Sequence, residues 1–149
     1  MASEIQKMLQ LRNIAIVGLS KDPAKKSHKV AVYLKTHGYR IVPVNPLATS
    51  MFNSMSYPTL SRIPSSIAET IDLVLVFGPS REALEVLLQA LKLQDSFGRV
   101  KGIWLQKGIK NAKTKAFAKK AGLLFVQDKC IMTEHAKKTP KIRKSKPKK

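Results

Sequence analysis

Apolar residues along this chain gather into five short, nearly continuous runs, and between them they recur every three or four positions. The runs are Ile14–Val17, Tyr39–Val44, Ile71–Phe77, Val100–Leu105 and Leu123–Val126. Continuous apolar runs of this length predict strands covered on both faces, as in a parallel sheet. The spaced stretches predict helices. Val30, Ala31, Tyr33 and Leu34 make the stripe of one over Ser27–His37, with Gly38 to stop it. Ala83, Leu84, Leu87, Leu88 and Leu91 make the stripe of a second, capped by Ser80 and ending near Leu93. A basic third helix runs from a capping Asn111 to Ala121, before Gly122. Ile5, Met8 and Leu9 space a short N-terminal helix packed on the body. Residues 46–70, with Pro58 and Pro64, read as irregular apart from one turn near Thr59–Ile63. Pro43 implies that the second strand ends early or sits near an edge.

Strand and helix alternate with short connections. The expected fold is therefore α/β: an open, mostly parallel five-stranded sheet with helices on both faces. Such sheets bind ligands beyond the carboxyl ends of their strands, where the strand order reverses. The loops after residues 17, 44, 77, 105 and 126 thus carry the candidate chemistry.

Composition narrows this picture. At 149 residues and 44% apolar, the chain suits one domain with a real core. No window approaches the roughly 18 consecutive apolar residues of a membrane span. Met1–Leu9 carries Glu4 and lacks the basic-then-apolar layout of a secretory leader, so a cytoplasmic location is expected. A single cysteine, Cys130, excludes an intramolecular disulfide and fits a reducing compartment. The net charge is +19, and residues 136–149 hold eight Lys or Arg and no acid. Without them 20 basic residues still face 9 acidic ones, leaving +11 on residues 1–135. A body this basic attracts polyanions: nucleic acid, phosphorylated cofactors or anionic lipid. The segment 136–149 has too little apolar surface to offset its ordering entropy and reads as a disordered basic tail.

The first loop is the strongest candidate. Gly18, Leu19 and Ser20 end a strand, and Lys25, Lys26, Ser27 and His28 lead into a helix. A glycine that lets backbone approach a ligand, a helix N-terminus, hydroxyls and lysines together suit a phosphate. An ordinary βα turn with solvated lysines would use the same residues. The stretch has one glycine where a dinucleotide fingerprint has three, and the second loop, Val44-Asn45-Pro46, has no ribose-binding acid. Both points count against a nicotinamide cofactor. In the third loop Phe77 could meet a flat ligand group, while Arg81 reads as a solvated first-turn residue. In the fourth, Gln106 and Gly108 could meet an amide-bearing ligand arm, and Trp104 reads as core. In the fifth, Cys130, Glu134 and His135 suggest a nucleophile with a base or a metal set. No CxxC and no helical His spacing accompany them, so structural capping of the sheet is the simpler reading.

Taken in order, the motifs at these strand ends resemble a known family. They are Asn13-Ile-Ala-Ile-Val-Gly-Leu-Ser20, Ser27-His28, Gly38-Tyr39-Arg40, Pro43-Val-Asn-Pro46, Trp104-Leu-Gln106 with Gly108 and Asn111, and Asp128-Lys-Cys130 with Glu134-His135. Over about residues 8–135 the chain is similar to the small stand-alone CoA-binding proteins, whose domain resembles the nucleotide-binding domain of the succinyl-CoA synthetase α subunit. The resemblance implies a Rossmann-like domain over 1–135 that binds coenzyme A or an acyl-CoA. It puts Gly18, Leu19 and Ser20 around the phosphates, Lys25 and Lys26 beside them, and Val44–Pro46 at the nucleotide end. The family often has arginine directly after the phenylalanine of the third strand; here Phe77 is followed by Gly78-Pro79-Ser80-Arg81.

Three functions remain open on these grounds. The first is CoA binding without catalysis, which no complete catalytic constellation contradicts. The second is association with nucleic acid through the tail at 136–149. The third is CoA-dependent acyl or thiol transfer using Cys130.

Overall fold

The computed structural model describes residues 3–46, 50–51 and 54–138. In chain order its elements are α1 (Glu4–Met8), β1 (Asn13–Val17), α2 (Lys26–Thr36), β2 (Arg40–Val44), β3 (Ser50–Met51) and β4 (Ser54–Met55). A 3-10 turn at Leu60–Arg62 and α3 (Ser65–Ala68) lead into β5 (Leu73–Val76). A second 3-10 turn at Ser80–Glu82 precedes α4 (Ala83–Phe97), followed by β6 (Gly102–Leu105), α5 (Ala112–Lys120), β7 (Leu124–Val126) and α6 (Ile131–Lys138).

Five strands form one parallel sheet in the order β2-β1-β5-β6-β7. The chain winds outward from β1 to β2, then returns to the other side of β1 with β5. The order reverses between β1 and β5, as in doubly wound folds. The pattern of buried residues explains why the strand runs are apolar throughout. On one face Ala15, Val74, Val76, Ile103 and Phe125 pack against α4 and α5 through Ala83, Leu87, Ala90 and Ala118. On the other, Ile14, Ile16, Leu73, Leu75 and Trp104 pack against α1, α2 and α6 through Met8, Val30, Leu34 and Ile131. β2 is an edge strand, where the missing N–H of Pro43 breaks no pairing inside the sheet.

Several local expectations change. Ser80 does not cap α4, whose N-cap is Glu82. Ser80 Oγ accepts instead from the Lys110 N–H at 3.0 Å, and its carbonyl accepts from Asn111 Nδ2 at 3.0 Å. It braces the loop after β6. Ser80→Ala should lower stability by about 1 kcal/mol, read from a urea transition; no change would show the bond to be solvent-replaceable. Helix α4 runs past Leu93 to Phe97 and ends on Gly98 in the left-handed region. Its buried stripe is Ala83, Leu87, Ala90 and Leu93, so Leu88 is 41% exposed. Asn111 caps α5 as expected, its side chain accepting from the Thr114 N–H. The segment after β7 is a helix that continues to Lys138, so residues 136–138 of the expected disordered tail are helical. The rest of that tail lies outside the described residues. Among the described residues no helix is long and apolar enough to cross a membrane.

Candidate functional site

The carboxyl ends of β1, β2 and β5 meet at the reversal of strand order, and hydrogen bonds lock their loops together. Gly18 N–H donates to the Val44 carbonyl at 2.8 Å, and Phe77 N–H to the Val17 carbonyl at 2.9 Å. Asn45 Nδ2 donates to the Leu19 carbonyl at 2.7 Å, tying the second loop to the first. Leu19 itself turns its side chain into the core.

The first loop is organised from within. Ser20 N–H donates to Ser27 Oγ at 2.9 Å, and Asp22 N–H donates to Ser20 Oγ at 3.0 Å. His28 Nδ1 lies 3.0 Å from the Ser20 carbonyl, so that nitrogen carries the proton. The N-cap of α2 is Lys25, without a side-chain cap bond, and Ser27 therefore sits in the first turn rather than at the cap. Its hydroxyl holds the loop against the helix start. Lys25 and Lys26 are exposed beside these positive-ended first turns.

Next to this loop lies a cavity of about 390 Å³. Gly18, Val44, Pro46 and Phe77, all anticipated from sequence, line it together. Leu60, Val86 and Gln89 close the far wall, and Glu82 and Glu85 stand on it as well. Gln89 is fixed: its Oε1 accepts from the Leu60 N–H at 3.1 Å, and its Nε2 donates to Glu85 at 3.3 Å. These α4 residues escaped the sequence reading. Their signal is a second stripe at 82, 85–86 and 89, one step around the helix from the core stripe. The carboxylates of Glu82 and Glu85 repel phosphate on that wall, whereas Lys25 and Lys26 attract it at the first loop.

Gln106 and Gly108 do not line this cavity. Gln106 is 2% exposed, and its Oε1 accepts from the Ile131 N–H at 2.9 Å, so it holds the start of α6. Gly108 N–H donates to Asp128 Oδ1 at 2.8 Å. That bond, with Lys110, Lys107 and Lys129 around it, holds the Asp128 carboxyl below its ordinary range. Cys130 is buried at the start of α6. Burial pushes its thiol up, but bonds from Gln106 and from Thr133 and Met132 outweigh this and hold it below its ordinary value. His135 Nδ1 lies 2.8 Å from Tyr33 Oη, between α6 and α2. Neither Cys130 nor His135 lines the cavity. Among the described residues no group of three His, Cys, Asp or Glu could hold a metal ion.

Comparison with known proteins agrees with this architecture. A family model described as a CoA binding domain matches residues 12–136. The chain is 31% identical over 135 residues to the Bacillus subtilis (strain 168) protein YneT, covering 90% of this chain and 93% of that one. A solved structure of a hypothetical protein from Pyrococcus horikoshii OT3 is 30% identical, with a TM-score of 0.80 over 91% of this chain and 92% of that one. A dinucleotide-forming acetyl-coenzyme A synthetase from Ca. Korarchaeum cryptofilum, in complex with phosphate and ADP, shares the fold at 23% identity and a TM-score of 0.65. That match covers 83% of this chain and 27% of the synthetase chain.

Proposed function

The chain belongs to the CoA binding domain family, and on that premise we propose that it holds coenzyme A or an acyl-CoA at the strand-order reversal without catalysing a reaction itself. The observation that carries this reading is the convergence of the loops after β1, β2 and β5 on one cavity of about 390 Å³; the first of these loops leads on to the lysine-flanked start of α2, which does not itself line the cavity. Charge divides the site. The diphosphate and 3′-phosphate lie toward Ser20, Lys25, Lys26, Ser27 and the first turn of α2, where a helix start and two exposed lysines favour anions. The uncharged part of the ligand fills the cavity between Gly18, Val44, Pro46 and Phe77, where Glu82 and Glu85 exclude phosphate. Asn45 and His28 act through the loop they hold. Gln106 is left out of the contact set because its acceptor is already committed to α6. Catalysis through Cys130 has no support in this geometry, since the thiol is buried in the α6 start, away from the cavity.

Calorimetric titration with CoA in phosphate-free buffer tests the proposal. Saturable heat and an upward thermal shift are expected; neither at millimolar CoA would refute it. Lys25→Gln with Lys26→Gln should weaken CoA about tenfold, on the scale of one charge-assisted contact, and leave the ligand-free melting temperature in place. An unchanged affinity would move the phosphates elsewhere.

A further inference from the structure

On the opposite side of the sheet from β2, the surface of α5 and β7 is cationic out of proportion to the rest. Between residues 107 and 129 seven lysines accompany one acid, Asp128, which is already bonded to Gly108. Two adjoining hollows of about 540 and 410 Å³ run along this surface and share Lys115, Lys119 and Gln127. Lys110 stands at one end and Lys129 at the other. Ala112 and Ala116, one helical turn apart and both exposed, make a low floor between the lysines. The trough shares no lining residue with the cavity assigned to CoA. Two carboxylates partly answer its charge: Glu4 pairs with Lys119 at 2.9 Å, and Asp128 lies near Lys110 and Lys129.

We propose that this trough takes the phosphate backbone of a single-stranded nucleic acid. A small anion would need one cluster of donors; a row of spaced ammonium groups suits a repeating charge. Lysine acts here as a point charge, without the fork geometry that selects carboxylates. The small floor lets a chain approach the helix closely. Phe117, 47% exposed, lies round the same helix beside Lys120 and Ala121 and takes no part in the trough. The eight further Lys or Arg of residues 136–149 add to the same attraction for a polymer long enough to reach them. This inference does not rest on the CoA reading.

Fluorescence anisotropy of the full chain with a labelled oligouridylate tests it. Affinity should fall steeply with salt. The variant Lys110→Gln/Lys115→Gln/Lys129→Gln should bind about tenfold more weakly, and its slope of log K against log salt should flatten by about 2, three contacts at roughly 0.7 each. Glu4→Gln should tighten binding by releasing Lys119. The control Arg62→Gln/Lys92→Gln/Arg99→Gln removes the same charge from other exposed surfaces and should leave affinity within about twofold, since long-range screening blunts distant charges. Melting temperatures verify that both triples are folded. Equal losses in the two triples, or none in the trough triple, would overturn the assignment. So would tighter binding to a duplex of equal length or to phosphatidylserine vesicles.

Discussion

Replacing Gly18 with alanine is expected to cost the fold about 3 kcal/mol and to abolish CoA binding, whereas Gly122→Ala should cost only about 1 kcal/mol. The two glycines have nearly the same backbone, with φ of +85° at Gly18 and +82° at Gly122. Both substitutions therefore incur the left-handed penalty for a residue with a Cβ, about 1 kcal/mol. They differ in what that Cβ would meet. At Gly122 nothing lies within 4 Å. At Gly18 it would stand 2.5 Å from the Phe77 carbonyl oxygen. That oxygen is backbone, and Phe77 is held at the end of β5 by its N–H bond to Val17, so it cannot swing aside. Relief requires prising β1 from β5 at the strand-order reversal, which opens the candidate site itself. Urea transitions with unchanged m-values give the comparison directly. Equal losses at the two positions would mean that the β1–β5 contact yields, and that the steric argument fails. The usual reason for a glycine after the first strand is access for a ligand. Here the missing Cβ faces the neighbouring strand, so strand packing alone already requires it.

Much of this architecture was legible in the sequence because parallel strands covered on both faces must be apolar at successive positions. Ile14–Val17 and Leu73–Val76 could be read without any partner in view. Helix stripes were legible to within one residue of phase, and phase is where the reading slipped. Leu88 fits the core stripe by residue type, yet the stripe of Ala83, Leu87, Ala90 and Leu93 leaves it outside. The two-residue strands β3 and β4 are too short to carry a period at all. Half of the candidate site was visible for the same reason that ligands gather there: Gly18, Val44, Pro46 and Phe77 all lie at or just beyond strand ends. The other half, Leu60, Val86 and Gln89, comes from segments whose approach depends on tertiary packing. Gln106 carries a different ambiguity. A polar residue at the end of a strand serves equally to meet a ligand or to hold a neighbouring loop, and only its burial and its bonded partner separate the two.

That ambiguity makes Gln106→Leu the second large effect. Leucine nearly matches the volume of glutamine but cannot accept the Ile131 N–H bond, so a buried donor is left without its partner at the start of α6. The expected cost is about 2 kcal/mol, within the usual range for an orphaned buried group. It should fall on α6 first, because the sheet bonds of β6 are backbone and survive the change. Trp104 continues to hold the same turn from two positions earlier, its Nε1 donating to the Lys129 carbonyl at 2.8 Å. Local opening of α6 has a built-in reporter, since Cys130 is the only cysteine and is buried beside Gln106. Loss of about 2 kcal/mol raises the open population roughly thirtyfold, so labelling of Cys130 by a disulfide reagent should accelerate by that factor. A loss confined to global stability, with labelling unchanged until the whole chain melts, would show that α6 does not open separately. CoA affinity decides the remaining question. With Gln106 committed to α6, the variant should bind CoA within about twofold of the parent under conditions where it is folded. A tenfold loss with α6 still docked would place the glutamine amide on the ligand after all, and would extend the CoA site from the β1–β5 reversal across to the end of β6.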